Sequence, residues 1–426
     1  MIQKFGRINL PFIRLGSPSN YHPTKLFENS GYKQFNLLNN KLILCLEDIF
    51  LKNAITTRQY STPTHTKNSV ICARAIFAEL PETSTKPTGN SYHPLYGCYT
   101  IKRTFSDNCN KMAPTLAPKV KLNNGYEMPV LGLGTYELKK SKCKAAVREA
   151  LNIGYRHIDT AYLYRNEGII GRVLKEEIEQ NRVRRHEIFL VTKLWNIYHE
   201  PCKVKYACRK QMDALNVDYI DLYLMHSPIG YKYVDDEALM PHEDSKLQTN
   251  DIDYIDTYKA MEELVELGWV RSLGLSNFNI PQMQRILDNC TIKPVTNQVE
   301  CHPALNQSKL REFCLKHNIL VTAYSPLARP KLVRPLPAFY QSQELQQIAE
   351  KYQKSKAQIV LRYLIDIGTV PIPKSARPER LLENINVFDF QLDKDEINII
   401  NDFNTNLRLW RNEMASFHSY WPFSED

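Results

Sequence analysis

Several features are missing from this sequence, and each absence excludes a class of protein. No stretch approaches the ~18 consecutive apolar residues that a membrane helix needs, so the chain reads as soluble, with no membrane partner. The ten cysteines form no C-x-x-C pair and no zinc-like Cys/His spacing, which leaves free thiols in a reducing compartment and no metal. No G-x-G-x-x-G occurs, because "GLGTYE" (132–137) has Glu137 where the third glycine belongs and opens no helix; this sets aside a doubly wound dinucleotide fold. Charge is also lacking where it would matter. The chain carries a net +9, but residues 1–111 hold 14 Lys and Arg against 6 Asp and Glu, leaving 41 against 40 in residues 112–426. A neutral main body gives nucleic acid no electrostatic purchase.

Residues 1–111 show no sustained helical or strand period. "PETSTKPTGNSYHP" (81–94) is polar and punctuated by Pro and Gly, and cannot bury enough surface to offset its ordering entropy. The segment is expected to be a largely disordered, dispensable extension, with local helix at most around "NNKLILCLEDIFLKNAI" (39–55). A mitochondrial presequence in residues 1–60 is the alternative to a cytoplasmic protein. Residues 1–27 are basic without acids and "TTRQYST" (56–62) places an Arg like a processing signal, whereas Pro11 and the excess length oppose it.

From residue 112 the pattern changes. "KVKLNNGYEMP" (119–129) sets strand-like residues around an Asn-Gly pair, the signal of a tight hairpin. Eight short apolar runs follow: 129–136, 157–161, 188–195, 220–228, 270–278, 295–303, 320–326 and 369–375. Helical patterns separate them. After Pro201, at a favoured first-turn position, Val204, Cys208, Met212 and Leu215 make one apolar face; Met261, Leu264 and Val265 make another, ended by Gly268. Eight strands alternating with helices predict a (β/α)8 TIM barrel, capped at its amino-terminal end by the hairpin.

In such a barrel the chemistry gathers at the carboxyl ends of the strands. Asp159 closes the second run, Lys193 the third, His226 the fourth, Ser276 and Asn277 the fifth, Gln298 the sixth, Tyr324 the seventh and Lys374 the eighth; Tyr164 follows Asp159 in "GYRHIDTAYLYRNE" (154–167). Singly, each has a plain structural role, as a helix cap, a solvated cation or a core histidine. Together, an acid, a base, an imidazole and a phenol on successive strands define a reaction site. Asp159 supplies the counter-charge for Lys193, whose ammonium is expected to lower the pKa of Tyr164. His226 then holds a carbonyl oxygen while Tyr164 protonates it. No side chain donates hydride, so a nicotinamide is required: Tyr324 offers a face for stacking, and Ser276, Asn277 and Gln298 can bond its carboxamide. Lys374, Ser375 and Arg380 stand where a helix start begun by Pro378 could hold a phosphate, favouring NADPH over NADH.

These motifs, with "VTKLW", "LYLMHSP", "LGLSNF", "NQVECHP", "VTAYSPL" and "IPKSARPER", occur in the order seen in the aldo-keto reductase superfamily, and residues 112–426 resemble its aldose and aldehyde reductase branch. The resemblance implies a catalytic tetrad of Asp159, Tyr164, Lys193 and His226. It also implies NADPH contacts at Thr135, Ser276, Asn277, Gln298, Tyr324, Ser325, Leu327, Lys374, Ser375, Arg380, Glu383 and Asn384, and substrate contacts at Tyr136, Trp195 and His226. It further implies a monomer acting on small-molecule aldehydes and ketones, or alternatively a barrel that binds NADPH in a sensing or structural role. Relatives that reduce steroid double bonds have Glu where this chain has His226, which favours carbonyl reduction. Tyr136 and Ser227 replace tryptophans of the aldose reductase-like enzymes, so the pocket is less aromatic and open to bulkier ketones. Specificity is expected in segments 228–253, 327–340 and 404–426. In the last of these, Trp410, Phe417, Tyr420 and Trp421 either reach the mouth or pack on the barrel.

Overall fold

The computed structural model describes residues 116–330 and 335–424; the expected extension at 1–111 and part of the segment 327–340 lie outside the described residues. The chain enters through a hairpin, β1 (Lys119–Lys121) and β2 (Glu127–Pro129), with Lys121 opposite Glu127. The tight turn is one residue longer than the Asn-Gly pair alone implies. Leu122 N–H bonds to Tyr126 O at 2.8 Å, leaving Asn123, Asn124 and Gly125 in the loop, and Gly125 takes φ +90°, which glycine adopts without strain.

Eight parallel strands follow: β3 (Leu133–Gly134), β4 (His157–Asp159), β5 (Phe189–Leu194), β6 (Leu222–Met225), β9 (Leu273–Ser276), β10 (Thr296–Glu300), β11 (Leu320–Tyr324) and β12 (Thr369–Pro371). Each falls inside one of the eight apolar runs. Neighbours pair in chain order, and β3 meets β12 through Gly132 N–H to Pro371 O (3.1 Å) and Gly134 N–H to Pro373 O (3.2 Å), which closes the (β/α)8 barrel. That seam needs glycine, because a Cβ on Gly134 would lie 2.6 Å from Ile372 O.

Between β6 and β9 the chain inserts a second small hairpin, β7 (His242–Glu243) and β8 (Lys246–Leu247), which the apolar pattern does not predict. The helices include α1 (Lys140–Ile153), α2 (Glu167–Glu179), α3 (Pro201–Leu215), α4 (Tyr254–Glu266), α5 (Ile280–Asn289), α6 (Ser308–Lys316), α7 (Gln343–Tyr352), α8 (Lys356–Asp366), α9 (Pro378–Ile385) and α10 (Lys394–Asn401). Pro201 opens α3 at its first turn, where a missing N–H is harmless, and Val204, Cys208, Met212 and Leu215 are all buried. Gly268 ends α4 with φ +72°. No described helix is long and apolar enough to cross a membrane.

Strand alternation explains how the lumen is filled. Leu122 and Met128 of the hairpin pack with Phe189, Val191, Leu222, Leu224, Val295 and Val370, plugging the amino-terminal end with hydrocarbon. Along β5 the inward positions run Phe189, Val191, Lys193, and along β10 Thr296, Gln298, Glu300, so the interior passes from apolar to polar towards the carboxyl ends. Thr296 Oγ1 and Thr322 Oγ1, 2.9 Å apart, occupy the middle of that gradient.

Candidate active site

Asp159 and Lys193, the last inward residues of adjacent strands, form the centre of the polar layer. Lys193 Nζ donates to Asp159 Oδ1 at 2.7 Å and to Thr160 O at 2.8 Å, with Lys193 wholly buried. Gln298 Nε2 donates to Asp159 Oδ2 at 2.7 Å; because β10 and β4 are not neighbours, this bond crosses the lumen. A buried ion pair is tolerable only when further hydrogen bonds support it; here both Asp159 oxygens accept and two of the three Lys193 N–H groups donate. Burial pushes the Lys193 ammonium below its usual value, while Asp159 pulls it back.

Tyr164 ends the 3-10 turn Tyr162–Tyr164 directly above this pair. Lys193 Nζ lies 5.1 Å from the centroid of its ring. The expected lowering of the Tyr164 pKa is not what this arrangement gives. Burial, followed by the charge of Asp159 and then Tyr324 and Tyr136, pushes the phenol well above its ordinary value. The phenol is therefore held protonated, the form a proton donor requires.

His226 stands edge-on to Tyr164 (6.0 Å between ring centroids) and to Trp195 (5.0 Å). Burial, then the charge of Lys193, and then His199 lower its pKa well below the usual value, so the imidazole is neutral. Its Nδ1 is buried and has no hydrogen-bond partner among the described residues. Trp195 is fixed from above by Nε1–H to Leu239 O, 2.7 Å, and by Tyr231, whose ring centroid is 5.7 Å away. Tyr136 lies exposed at the rim, edge-on to Tyr164 at 5.1 Å, and Ser227 bonds the backbone N–H of Ile229.

The polar residues of the far wall are tied to one another. Tyr324 OH donates to Asn277 Oδ1 at 2.9 Å; Asn277 Nδ2 donates to His226 O at 3.0 Å; Ser276 Oγ donates to Gln298 O at 3.0 Å. Asn277 and Ser325 take left-handed backbone (φ 62° and 48°), which turns the chain sharply at two strand ends. Thr135 is buried, its Oγ1 donating to Asp159 O at 2.8 Å, and Leu327 is half-buried. Lys374 is exposed, and Glu137 bridges it (3.7 Å) to Arg329 (3.3 Å). Ser375 accepts from Arg377 N–H at 3.1 Å, Arg380 is exposed on α9, Glu383 bonds Ser355 at the start of α8, and Asn384 is buried.

Three further residues that tie the site together were not singled out from the sequence. Asn166 Nδ2 donates to Thr135 O (2.9 Å) and its Oδ1 accepts from Thr160 Oγ1 (2.7 Å), fixing the loops on both sides of Asp159. Glu167, whose carboxyl is raised to about 7 by burial, accepts from Thr192 Oγ1 (2.6 Å) and Gln211 Nε2 (2.7 Å) beneath Lys193. Glu300 accepts from the N–H groups of Leu409 (2.8 Å) and Trp410 (3.0 Å), docking the tail at the end of β10. Strand alternation on β10 would have marked Glu300 as inward. Of the two expectations for the tail, packing on the barrel holds for two of the four aromatic residues concerned. Tyr420 and Trp421 pack on the largest core cluster, with Tyr420 4.8 Å from Tyr254 between ring centroids, whereas Trp410 and Phe417 remain exposed.

A closed parallel barrel with ionisable and aromatic groups converging on the carboxyl ends of its strands belongs to the enzyme-bearing class of that fold. Residues 130–405 match the Aldo/keto reductase family, and the chain belongs to that family. It is 40% identical over 322 residues to "Aldo-keto reductase family 1 member A1-A" of Danio rerio, which covers 72% of this chain and 98% of the relative. Its fold is similar to that of an aldose reductase from Schistosoma japonicum (TM-score 0.69, 39% identity) and to a Bombyx mori aldo-keto reductase in complex with NADP (TM-score 0.67, 39% identity). Each comparison covers 72% of this chain and 99% of the other.

Proposed function

We propose that the protein is an NADPH-dependent reductase of aldehydes and ketones. The observation that carries this reading is the buried Lys193–Asp159 pair beneath a half-buried, protonated phenol and a neutral imidazole at one barrel mouth. The donor set suits the cofactor: Tyr324 provides an aromatic face, Ser276, Asn277 and Gln298 provide amide and hydroxyl partners, and the exposed Lys374 and Arg380 flank the start of α9, where unsatisfied N–H groups favour an anion. Thr135, Ser325, Leu327, Ser375, Glu383 and Asn384 complete the proposed cradle. When bound, NADPH supplies the hydride.

The chain's own groups do the rest. A neutral His226 donates a hydrogen bond to the carbonyl oxygen and orients it, and Tyr164 transfers its proton to that oxygen as negative charge develops there. Lys193, stabilised as a cation by Asp159, lies close enough to offset the charge left on the phenol oxygen. Tyr136 and Trp195 border the substrate and exclude water from the reacting atoms. The test is NADPH consumption by the full chain against aromatic aldehydes, sugars, dicarbonyls and steroid ketones. Turnover that tracks the carbonyl supports the reading. Tight NADPH binding with no turnover across the panel would instead favour a sensing or structural role.

A further inference from the structure

The segment 228–253 carries a carboxylate that the mechanism above does not use. Asp236 Oδ1 accepts from Tyr198 OH (2.6 Å) and Tyr233 OH (3.1 Å), and Oδ2 accepts from Tyr206 OH (2.5 Å) and pairs with Lys210. Its main-chain oxygen accepts from Tyr162 OH (3.0 Å) and from the Arg165 guanidinium (2.8 Å). A surface carboxylate ordinarily sits in water and contributes little. This one gathers four side-chain donors on its carboxylate and two more on its carbonyl.

The origin of those donors gives the cluster its meaning. Tyr162 and Arg165 flank Tyr164 in the connection after β4. Tyr198 follows Trp195 in the connection after β5, with Tyr206 and Lys210 on α3. Asp236 itself lies in the connection after β6, beyond His226. A single residue thus joins three successive strand-to-helix connections, each bearing one of the groups assigned to the chemistry. Three residues further on, Leu239 O accepts from the indole of Trp195, whose ring packs on His226. Holding so many rotamers in one geometry has an entropic cost that a freely solvated loop would avoid, so the segment is held in one arrangement over the mouth.

We propose that Asp236 is a positioning residue that sets selectivity among carbonyl substrates by clasping residues 232–239 to the turn that carries Tyr164. The inference rests on the reductase reading. Release of the clasp frees space above Trp195 and His226 and loosens the constraint on Tyr164, so bulky substrates gain relative to small ones.

The experiment uses the full chain as wild type, Asp236→Ala, Asp236→Asn and Tyr206→Phe. It measures kcat and KM for a small aromatic aldehyde and for a polycyclic ketone, together with the NADPH dissociation constant from quenching of protein fluorescence. Asp236→Ala is expected to shift the ketone-to-aldehyde ratio of kcat/KM about tenfold in favour of the ketone, with NADPH affinity unchanged within about twofold. Tyr206→Phe, at an exposed position, is expected to shift the ratio in the same direction by about twofold. A fall in the folded fraction lowers both rates together and leaves the ratio alone, so the ratio separates positioning from simple destabilisation. Should Asp236→Ala not fold, Asp236→Asn, which keeps an acceptor oxygen but loses the charge facing Lys210, carries the same test. An active wild type whose ratio is unchanged in the variants overturns the clasp alone, whereas a wild type inactive on every carbonyl overturns the reductase reading and this inference with it.

Discussion

The two ends of the barrel both hold buried carboxylates, yet they use them differently. At the amino-terminal end Asp221 accepts from Arg185 (2.8 Å), Arg271 (3.2 Å) and the N–H of Leu190 (3.1 Å), and the two guanidinium groups sandwich the Tyr219 ring at 3.9 and 3.6 Å from its centroid. The arrangement is a circle of charge and stacking beside the hairpin with no neutral ionisable group among its members other than the sandwiched Tyr219, although Arg185 Nε lacks a hydrogen-bond partner among the described residues; Asn124 Nδ2 donates to Ser272 Oγ at 2.9 Å. At the carboxyl-terminal end Asp159 is held just as firmly by Lys193 and Gln298, but the circle is open. A phenol and an imidazole stand over the pair, and His226 Nδ1 has no partner among the described residues. The contrast teaches that buried charge alone does not single out a candidate site; a buried pair with ionisable groups standing over it does.

Substitutions at the two ends should separate stability from turnover. The largest effect is expected from Asp159→Asn, which leaves the Lys193 charge without its counter-ion. Turnover should fall by ~10²–10³ and unfolding free energy by ~3 kcal/mol or more, read by NADPH consumption and urea titration. Next in size is a pH effect at His157, which begins the strand that Asp159 ends. Burial lowers its pKa to about 4, against an ordinary value near 6.5. The unfolded chain therefore binds a proton that the folded one refuses as pH falls from ~6.5 to ~4, and stability drops by up to ~3 kcal/mol across that window. His157→Phe should flatten this part of the urea-midpoint profile relative to wild type; parallel profiles would contradict the assignment.

At the opposite end, Asp221→Asn should destabilise by only ~2 kcal/mol, because its arginines are partly solvated, and should leave kcat within about twofold. A large loss of turnover there would break the comparison. The smallest effect is expected from Glu300→Gln, which weakens two charge-assisted bonds to the tail. A loss of ~1 kcal/mol with faster proteolysis of residues 404–426 is the expected outcome.

The barrel was legible because each strand is a short apolar run and each helix shows its own period, and Pro201 and Gly268 mark helix limits by backbone chemistry that depends on no partner. Asp159, Lys193 and His226 were legible as polar residues closing strand runs, and Tyr164 as the phenol five residues beyond Asp159. What escaped the sequence depends on the third dimension. Hydrophobic period shows that Gln298 faces inward, but not that its amide crosses the lumen to Asp159. Nor does it show how deeply the Tyr164 ring is enclosed beside Asp159, which reverses the expected direction of its pKa. The β7–β8 hairpin was missed because two-residue strands carry no period, and Asp236 because its partners come from four different segments.

In the proposed reduction Tyr164 gives the proton, while the cofactor site is independent of it. The most direct measurement sets Tyr164→Phe beside wild type, with NADPH affinity from fluorescence quenching and turnover from NADPH consumption in the same preparation. Affinity should be unchanged, within about twofold, and turnover reduced by at least ~10². A Tyr164→Phe protein that turns over at close to the wild-type rate would contradict that role for Tyr164.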